Sequence, residues 1–195
     1  MGLRILMISD VYFPRVNGVS TSIKTFRNKL SELGHEVTLI APEYGPYDTS
    51  DDLLIRIPSR YLPMDPEDRL MRRKDILSLT EDLRRKQFDI IHVQTPFLAH
   101  YVGVQLSEAL GIPVVESYHT YFEEYLYHYL PLLPRSWMRF AARWFTRRQC
   151  NKVVALVVPS DAMRTVILDY GVKRPTHIIP TGVEEIYLDW QGPAN

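Results

Sequence analysis

Hydrophobic and polar positions along this chain switch repeatedly between short apolar runs and runs of helical spacing, and those switches predict its elements. Arg4 to Ser9 reads as a buried strand. A helix over Thr21 to Leu33 then sets Ile23, Phe26, Leu30 and Leu33 on one face and stops at Gly34. Glu36 to Ala41 is the next strand, ended by Pro42, and Leu53 to Ile57 is a short third one. Ser59 to Asp68 is punctuated by prolines and predicts irregular chain, after which Leu70 to Lys86 has helical spacing. Asp89 to Val93 and Pro113 to Ser117 read as strands flanking a helix over Ala99 to Leu110 that closes at Gly111. Two helices follow without an intervening strand, about Phe122 to Leu130 and Arg135 to Cys150, broken by Pro131 and Pro134. Lys152 to Val158 is a sixth strand, Ser160 caps a helix to Tyr170, and His177 to Ile179 is a last short strand. No repeat or low-complexity stretch interrupts the alternation, which predicts an α/β fold: a doubly wound parallel sheet with helices on both faces.

Such sheets bind ligands outside the carboxyl ends of their strands, so the loops after the first and fifth strands are the candidate site. The first, Asp10 to Ser20, has neither a Gly-x-Gly-x-x-Gly nor a Gly-Lys-Ser/Thr signature, which removes the main support for nicotinamide and Walker-type nucleotide binding. It carries Asn17-Gly18. Both residue types tolerate positive φ, Gly18 lets backbone approach a ligand, and Ser20, Thr21 and Ser22 are predicted to cap a helix whose amino end attracts phosphate. An ordinary loop-to-helix turn has the same composition. Asp10 ends the first strand without the acidic partner and strand-end lysine of a phosphoacceptor site, and reads as a sugar-contacting or loop-bracing carboxylate. His119 follows the fifth strand among tyrosines. It can be an acid, a base, a sugar hydrogen-bond partner or a satisfied histidine. His92 reads as core, while His100, His128 and His177 read as isolated, and no pair has metal-ligand spacing.

Charge and composition narrow the class. The 195 residues are 46% apolar, enough for one ordinary core, and 23 Lys plus Arg balance 23 Asp plus Glu, so bulk charge gives no reason to expect nucleic-acid binding. Cys150 is the lone cysteine, which excludes an internal disulfide and thiolate-rich zinc sites and fits a reducing cytoplasm. The start, Met1-Gly2-Leu3-Arg4, lacks the flanks of a signal peptide, no apolar run reaches membrane-spanning length, and Leu6 breaks a myristoylation motif.

The helix over Arg135 to Cys150 is the exception to this balanced charge. Arg135, Arg139, Arg143 and Arg147 recur every four residues beside Trp137, Phe140, Ala141, Trp144 and Phe145. Aromatic residues at such spacing usually enter the core. The alternative is a helix lying on an anionic membrane surface through Arg135, Arg139, Arg143, Trp137 and Trp144, with the protein peripheral on the inner face of the membrane. The runs Arg72-Arg73-Lys74 and Arg84-Arg85-Lys86 read as solvated faces.

Several segments in order resemble the amino-terminal half of retaining family-4 glycosyltransferases of GT-B type. They are Arg4 to Asp10, Asn17-Gly18-Val19-Ser20, Gly34 to Pro42, Phe88 to Phe97, Gly111 to Val115, Tyr118 to Tyr125, Val158-Pro159-Ser160 and Ile179 to Val183. Each is weak alone, whereas their order and spacing together are specific. The resemblance implies one Rossmann-like half of a two-domain enzyme, the acceptor side, over 1–183, with 184–195 a linker or tail. On this resemblance the nucleotide-sugar domain is expected to lie outside this sequence. It also implies that Gly18, with Asn17 where the family usually has glycine, meets the donor's distal phosphate, and that His119 contacts the transferred sugar.

Asp10, Thr95, Thr120, Tyr121 and Tyr125 are implied to line the acceptor side. The Tyr-His-Thr-Tyr segment with Glu124 and Tyr125 is most like transferases that glycosylate diacylglycerol or related lipids. The implied reaction moves a hexose from a nucleotide sugar to a lipid or glycan acceptor with retention, without a metal or other cofactor. This half alone is expected to be inactive. A stand-alone carbohydrate- or lipid-binding module and half of a sugar-nucleotide epimerase are the competing readings.

Overall fold

In the computed structural model the described residues are 2–45, 51–62, 65–119 and 135–181. The helix expected over Phe122 to Leu130 and the tail 184–195 lie outside them. The elements run β1 (Arg4–Ile8), α1 (Gly18–Glu32), β2 (Glu36–Pro42), β3 (Leu54–Ile57), β4 (Ser59–Leu62), β5 (Asp65–Met71), α2 (Arg73–Leu77), α3 (Thr80–Arg85), β6 (Ile90–Val93), α4 (Leu98–Leu110), β7 (Val114–Ser117), α5 (Arg135–Cys150), β8 (Ala155–Val158), α6 (Asp161–Asp169) and β9 (Thr176–Ile178). Seven strands form one parallel sheet in the order β3-β2-β1-β6-β7-β8-β9. The fold is therefore the expected doubly wound, Rossmann-like α/β sheet.

The strands near the middle are apolar on both sides because both sides are covered. On β1, Ile5 and Met7 join Ile23, Val37 and Leu39 under α1, whereas Leu6 and Ile8 join Ile91, Val102 and Leu106 under α4. Each such side chain, fully buried, contributes roughly 1.5–3 kcal/mol. Gly103 lets α4 lie close to the sheet: a Cβ there would stand 2.4 Å from Val93 Cγ2. Gly111, at φ +70, ends α4 in the left-handed conformation that its missing side chain permits.

Four expectations are corrected. Asn17, not the serines and threonine after it, caps α1: its Oδ1 accepts from the Ser20 N–H at 2.8 Å, and the helix starts three residues earlier than the apolar spacing suggests. Leu33 is the α1 cap residue, 72% exposed rather than on the buried face. The proline-rich stretch forms an antiparallel ribbon, β4 with β5, in which Arg69 pairs with Tyr61 across the strands and lays its guanidinium 3.5 Å from that ring's centre. A two-stranded ribbon has free edges that tolerate proline, so the prolines do not forbid it. The helix expected over Leu70 to Lys86 is divided, since Met71 still belongs to β5 and the Ser78 and Thr80 hydroxyls donate to the carbonyls of Asp75 and Leu77 between α2 and α3.

Candidate functional site

A cleft of about 690 Å³ opens at the carboxyl ends of the central strands. Its walls are the loop after β1 (Asp10, Val11, Arg15, Asn17) with the start of α1 (Gly18, Val19), the loop after β6 (Thr95, Phe97), His119 after β7, Pro159 after β8, Thr181, and Asp68, Arg69 and Leu70 from the ribbon. The cleft thus gathers Asp10, Asn17, Gly18, Thr95 and His119, five residues singled out in the sequence. Thr120, Tyr121 and Tyr125 lie outside the described residues, as does the side chain of Arg135.

The loop after β1 is braced from several directions. Arg56 on β3 donates to the carbonyls of Phe13 at 2.7 Å and Pro42 at 2.9 Å and stacks on the Tyr12 ring. Arg15 pairs with Asp68, which ties the loop to the ribbon. The Asn17 cap then aims α1 at the cleft. Asn17 is extended at φ −153 and Gly18 is helical, so the expected positive φ at this pair is not adopted. Gly18 matters for another reason: a Cβ built there meets nothing within 4 Å, so the space beside this amide is open to a ligand. The amides of Gly18 and Val19 are first-turn donors that a helix leaves without intrahelical acceptors.

Asp10 is a bracing carboxylate. Its Oδ2 accepts from the Thr95 hydroxyl at 2.7 Å and the Ala99 N–H at 3.1 Å, while its own N–H donates to Thr95 Oγ1 at 2.8 Å. Phe97, the residue before α4, has no capping oxygen, and Asp10 supplies one from the neighbouring strand. Burial pushes its carboxyl up to about 6, and the hydrogen bonds from Thr95, Ala99 and Leu98 offset only part of that. It is largely ionised at neutral pH and able to accept a hydrogen bond in the cleft.

His119 lies with Nε2 3.3 Å from Gln94 Oε1. Burial holds its pKa down at about 4, so the imidazole is neutral at physiological pH. His92 is core, as expected, with Nε2 2.8 Å from Ser117 Oγ and burial holding its pKa down to about 3. His100 is not isolated: its Nδ1 meets Glu116 Oε2 at 3.0 Å in the interior, linking α4 to β7. Among the described residues no group of three His, Cys, Asp or Glu side chains is placed to hold a metal ion.

The helix α5 turns its aromatic stripe outward. Trp137 and Phe140 are each 73% exposed and Trp144 54%, with Arg139 and Arg143 exposed beside them, whereas Met138, Ala142, Thr146 and Gln149 are buried. The core expectation for the tryptophans is therefore corrected. The inward side of α5 holds two cleft loops: Gln149 Nε2 donates to the Pro96 carbonyl at 2.7 Å, and Thr146 Oγ1 lies 3.3 Å from the hydroxyl of Tyr118, next to His119. No helix among the described residues is long and apolar enough to cross a membrane.

The ribbon residue Asp68 was missed because its stretch reads as irregular chain, and Arg69 and Leu70 because they fall at the junction with an expected helix. Arg15 carried no motif, and Gln94 and Phe97 lay inside the Phe88 to Phe97 segment without a role assigned to either.

Comparison with known proteins bears on the family and the fold. The family Glycosyltransferase Family 4 matches residues 16–185. The chain is 34% identical over 187 residues to an alpha-monoglucosyldiacylglycerol synthase of Streptococcus pneumoniae, covering 93% of this chain and 41% of that protein. It is 28% identical over 182 residues to a GDP-mannose-dependent alpha-mannosyltransferase of Mycobacterium tuberculosis, covering 89% and 46%. The chain thus spans less than half the length of these two relatives. Among solved structures, the HepE protein of Anabaena in complex with UDP-glucose shares the fold at a TM-score of 0.62 and 13% identity, over 98% of this chain and 47% of that one.

Proposed function

The chain belongs to glycosyltransferase family 4, and on that premise we propose that it is the acceptor-side half of a GT-B hexosyltransferase working on a lipid at an anionic membrane surface. In this reading a hexose passes from a nucleotide sugar, held largely by a second domain, to a hydroxyl of the acceptor, with retention of configuration and without a metal or other cofactor. The amides of Gly18 and Val19 at the amino end of α1 receive the donor's distal phosphate, where negative charge grows as the diphosphate departs. His119, neutral, hydrogen-bonds the transferred sugar. Asp10 and Thr95 receive the acceptor's polar end, with Thr120, Tyr121 and Tyr125 assigned to the same side. The protein is proposed to be cytoplasmic and peripheral on the inner face of the membrane.

One observation carries the lipid reading: the helix whose buried residues hold the Pro96 and Tyr118 loops exposes Trp137, Phe140 and Trp144 beside arginines on its opposite side. Aromatic rings can enter the headgroup layer while each nearby arginine gains about 1 kcal/mol from anionic lipid. The name of the pneumococcal relative, a glycolipid synthase, supports the same choice.

Sedimentation with vesicles tests it. The chain is expected to pellet with phosphatidylglycerol-containing vesicles, less with phosphatidylcholine alone, and less again at high salt. Arg139→Glu with Arg143→Glu weakens the binding without unfolding the domain. No binding by the parent, or equal binding by parent and variant, contradicts the membrane seat and shifts the acceptor toward a soluble glycan.

A further inference from the structure

The cleft residues His119 and Asp10 are each met by one of two consecutive residues after β6. Thr95 engages Asp10 on both sides of its hydroxyl, and Gln94 reaches His119. Thr95 has a proposed place in the acceptor site, whereas Gln94 has none. We infer that Gln94 is a positioning residue: its buried amide fixes the tautomer and ring orientation of His119, leaving Nδ1 as the ring's hydrogen-bond acceptor.

Gln94 is 1% exposed and its Oε1 faces His119 Nε2 at 3.3 Å. An amide oxygen only accepts, so a hydrogen bond there requires the proton on Nε2 and a lone pair on Nδ1 of the neutral ring. The rest of the amide is not committed elsewhere, since Gln94 Nε2 is buried without a hydrogen-bond partner. A buried glutamine that leaves its NH₂ unmatched is costly as a core residue, and an apolar side chain of similar length would suit that core better. The contact with His119 is the one polar bond this side chain makes among the described residues. His92, two residues earlier and within β6, is held separately by Ser117 and serves as an internal reference.

The functional consequence rests on the reading that His119 meets the transferred sugar. With Nε2 held by Gln94, Nδ1 can accept from a sugar hydroxyl but cannot donate to one. The ring thereby offers a sugar hydroxyl an acceptor and no donor.

Nitrogen-15 spectra of the histidine rings in this chain test the tautomer directly, with His119→Asn identifying the signal. Gln94→Met keeps the length and apolar volume of the side chain and removes both polar ends. The parent is expected to show His119 as a single Nε2–H tautomer, and Gln94→Met to show averaged ring-nitrogen shifts while the His92 signals stay in place. Gln94→Leu is the second variant should the methionine form not fold. A parent with Nδ1–H, or ring shifts unchanged by the substitution, overturns the inference.

Kinetics of a protein extended through its second domain supply the functional arm. Gln94→Met lowers kcat on the order of tenfold with KM for the acceptor unchanged, and has no further effect in a His119→Asn background. Additive losses contradict action through His119. A parent that transfers no sugar removes the functional reading instead, and the spectra still decide the tautomer.

Discussion

Asp10 illustrates how one side chain serves architecture and site at once, and its titration is the most accessible consequence. Its folded pKa of about 6 stands above the ordinary value of 3.8, because burial outweighs the hydrogen bonds from Thr95 and Ala99. Between those values the native chain holds a proton that the unfolded chain has lost, so this group's contribution to stability is greatest at the acid end and falls as pH rises from about 4 to about 6. Asp10→Asn removes that slope. Urea denaturation across the interval is expected to show parent stability falling relative to the variant as pH rises, and a flat or rising difference contradicts the assignment.

His119 behaves in the opposite sense. Its pKa of about 4 leaves it neutral, so the rate of the extended protein is expected to show no ionisation from this ring between about pH 5 and pH 8. His119→Ala should lower turnover on the order of a hundredfold if the ring assists the sugar in the transition state. A loss confined to thermal stability would make it a packing residue. The candidate status of both residues was legible in the sequence because each ends a predicted strand. Their pairing with Thr95 and Gln94 was not: Thr95 lies 85 positions from Asp10 and Gln94 25 from His119, distances only the sheet's register can close.

At the scale of elements, periodicity sufficed where an element buries a regular face. The strands β1, β2, β6, β7 and β8, and helices α4, α5 and α6, lie within a few residues of their expected bounds. It failed where local bonds decide. The Asn17 cap moved the start of α1, hydroxyl-to-carbonyl bonds divided α2 from α3, and the Arg69–Tyr61 stack made a ribbon from proline-rich chain. The outward aromatics of α5 defeated the usual preference for burial, because Met138, Ala142, Thr146 and Gln149 already supply its inward side. Gly103→Ala tests the packing of α4. The added methyl would stand 2.4 Å from Val93 Cγ2 in a filled core, so the domain should lose about 1–3 kcal/mol in denaturant unfolding. Gly18→Ala, entering open space, should cost far less, and equal losses at the two glycines would contradict the packing described.

At the scale of the molecule, parallel topology brings five strand-end or loop residues widely separated in sequence to one cleft, and α5 joins that cleft to an exposed basic and aromatic surface. The chain covers 41% of the pneumococcal relative, and on the proposed reading, in which a second domain holds most of the donor, residues 1–195 by themselves are expected to transfer no sugar. One assay tests whether the acceptor is a lipid: radiolabelled nucleotide hexoses are supplied, with a diacylglycerol-type lipid in anionic vesicles, to a protein extended through its second domain. The expected product is a labelled glycolipid of retained configuration, formed without added metal and abolished by Gly18→Val in a protein that still folds, since a branched side chain would fill the space beside the first-turn amides. Undiminished transfer by the Gly18→Val protein, or label passing to soluble glycans and never to lipid, would contradict the proposed function.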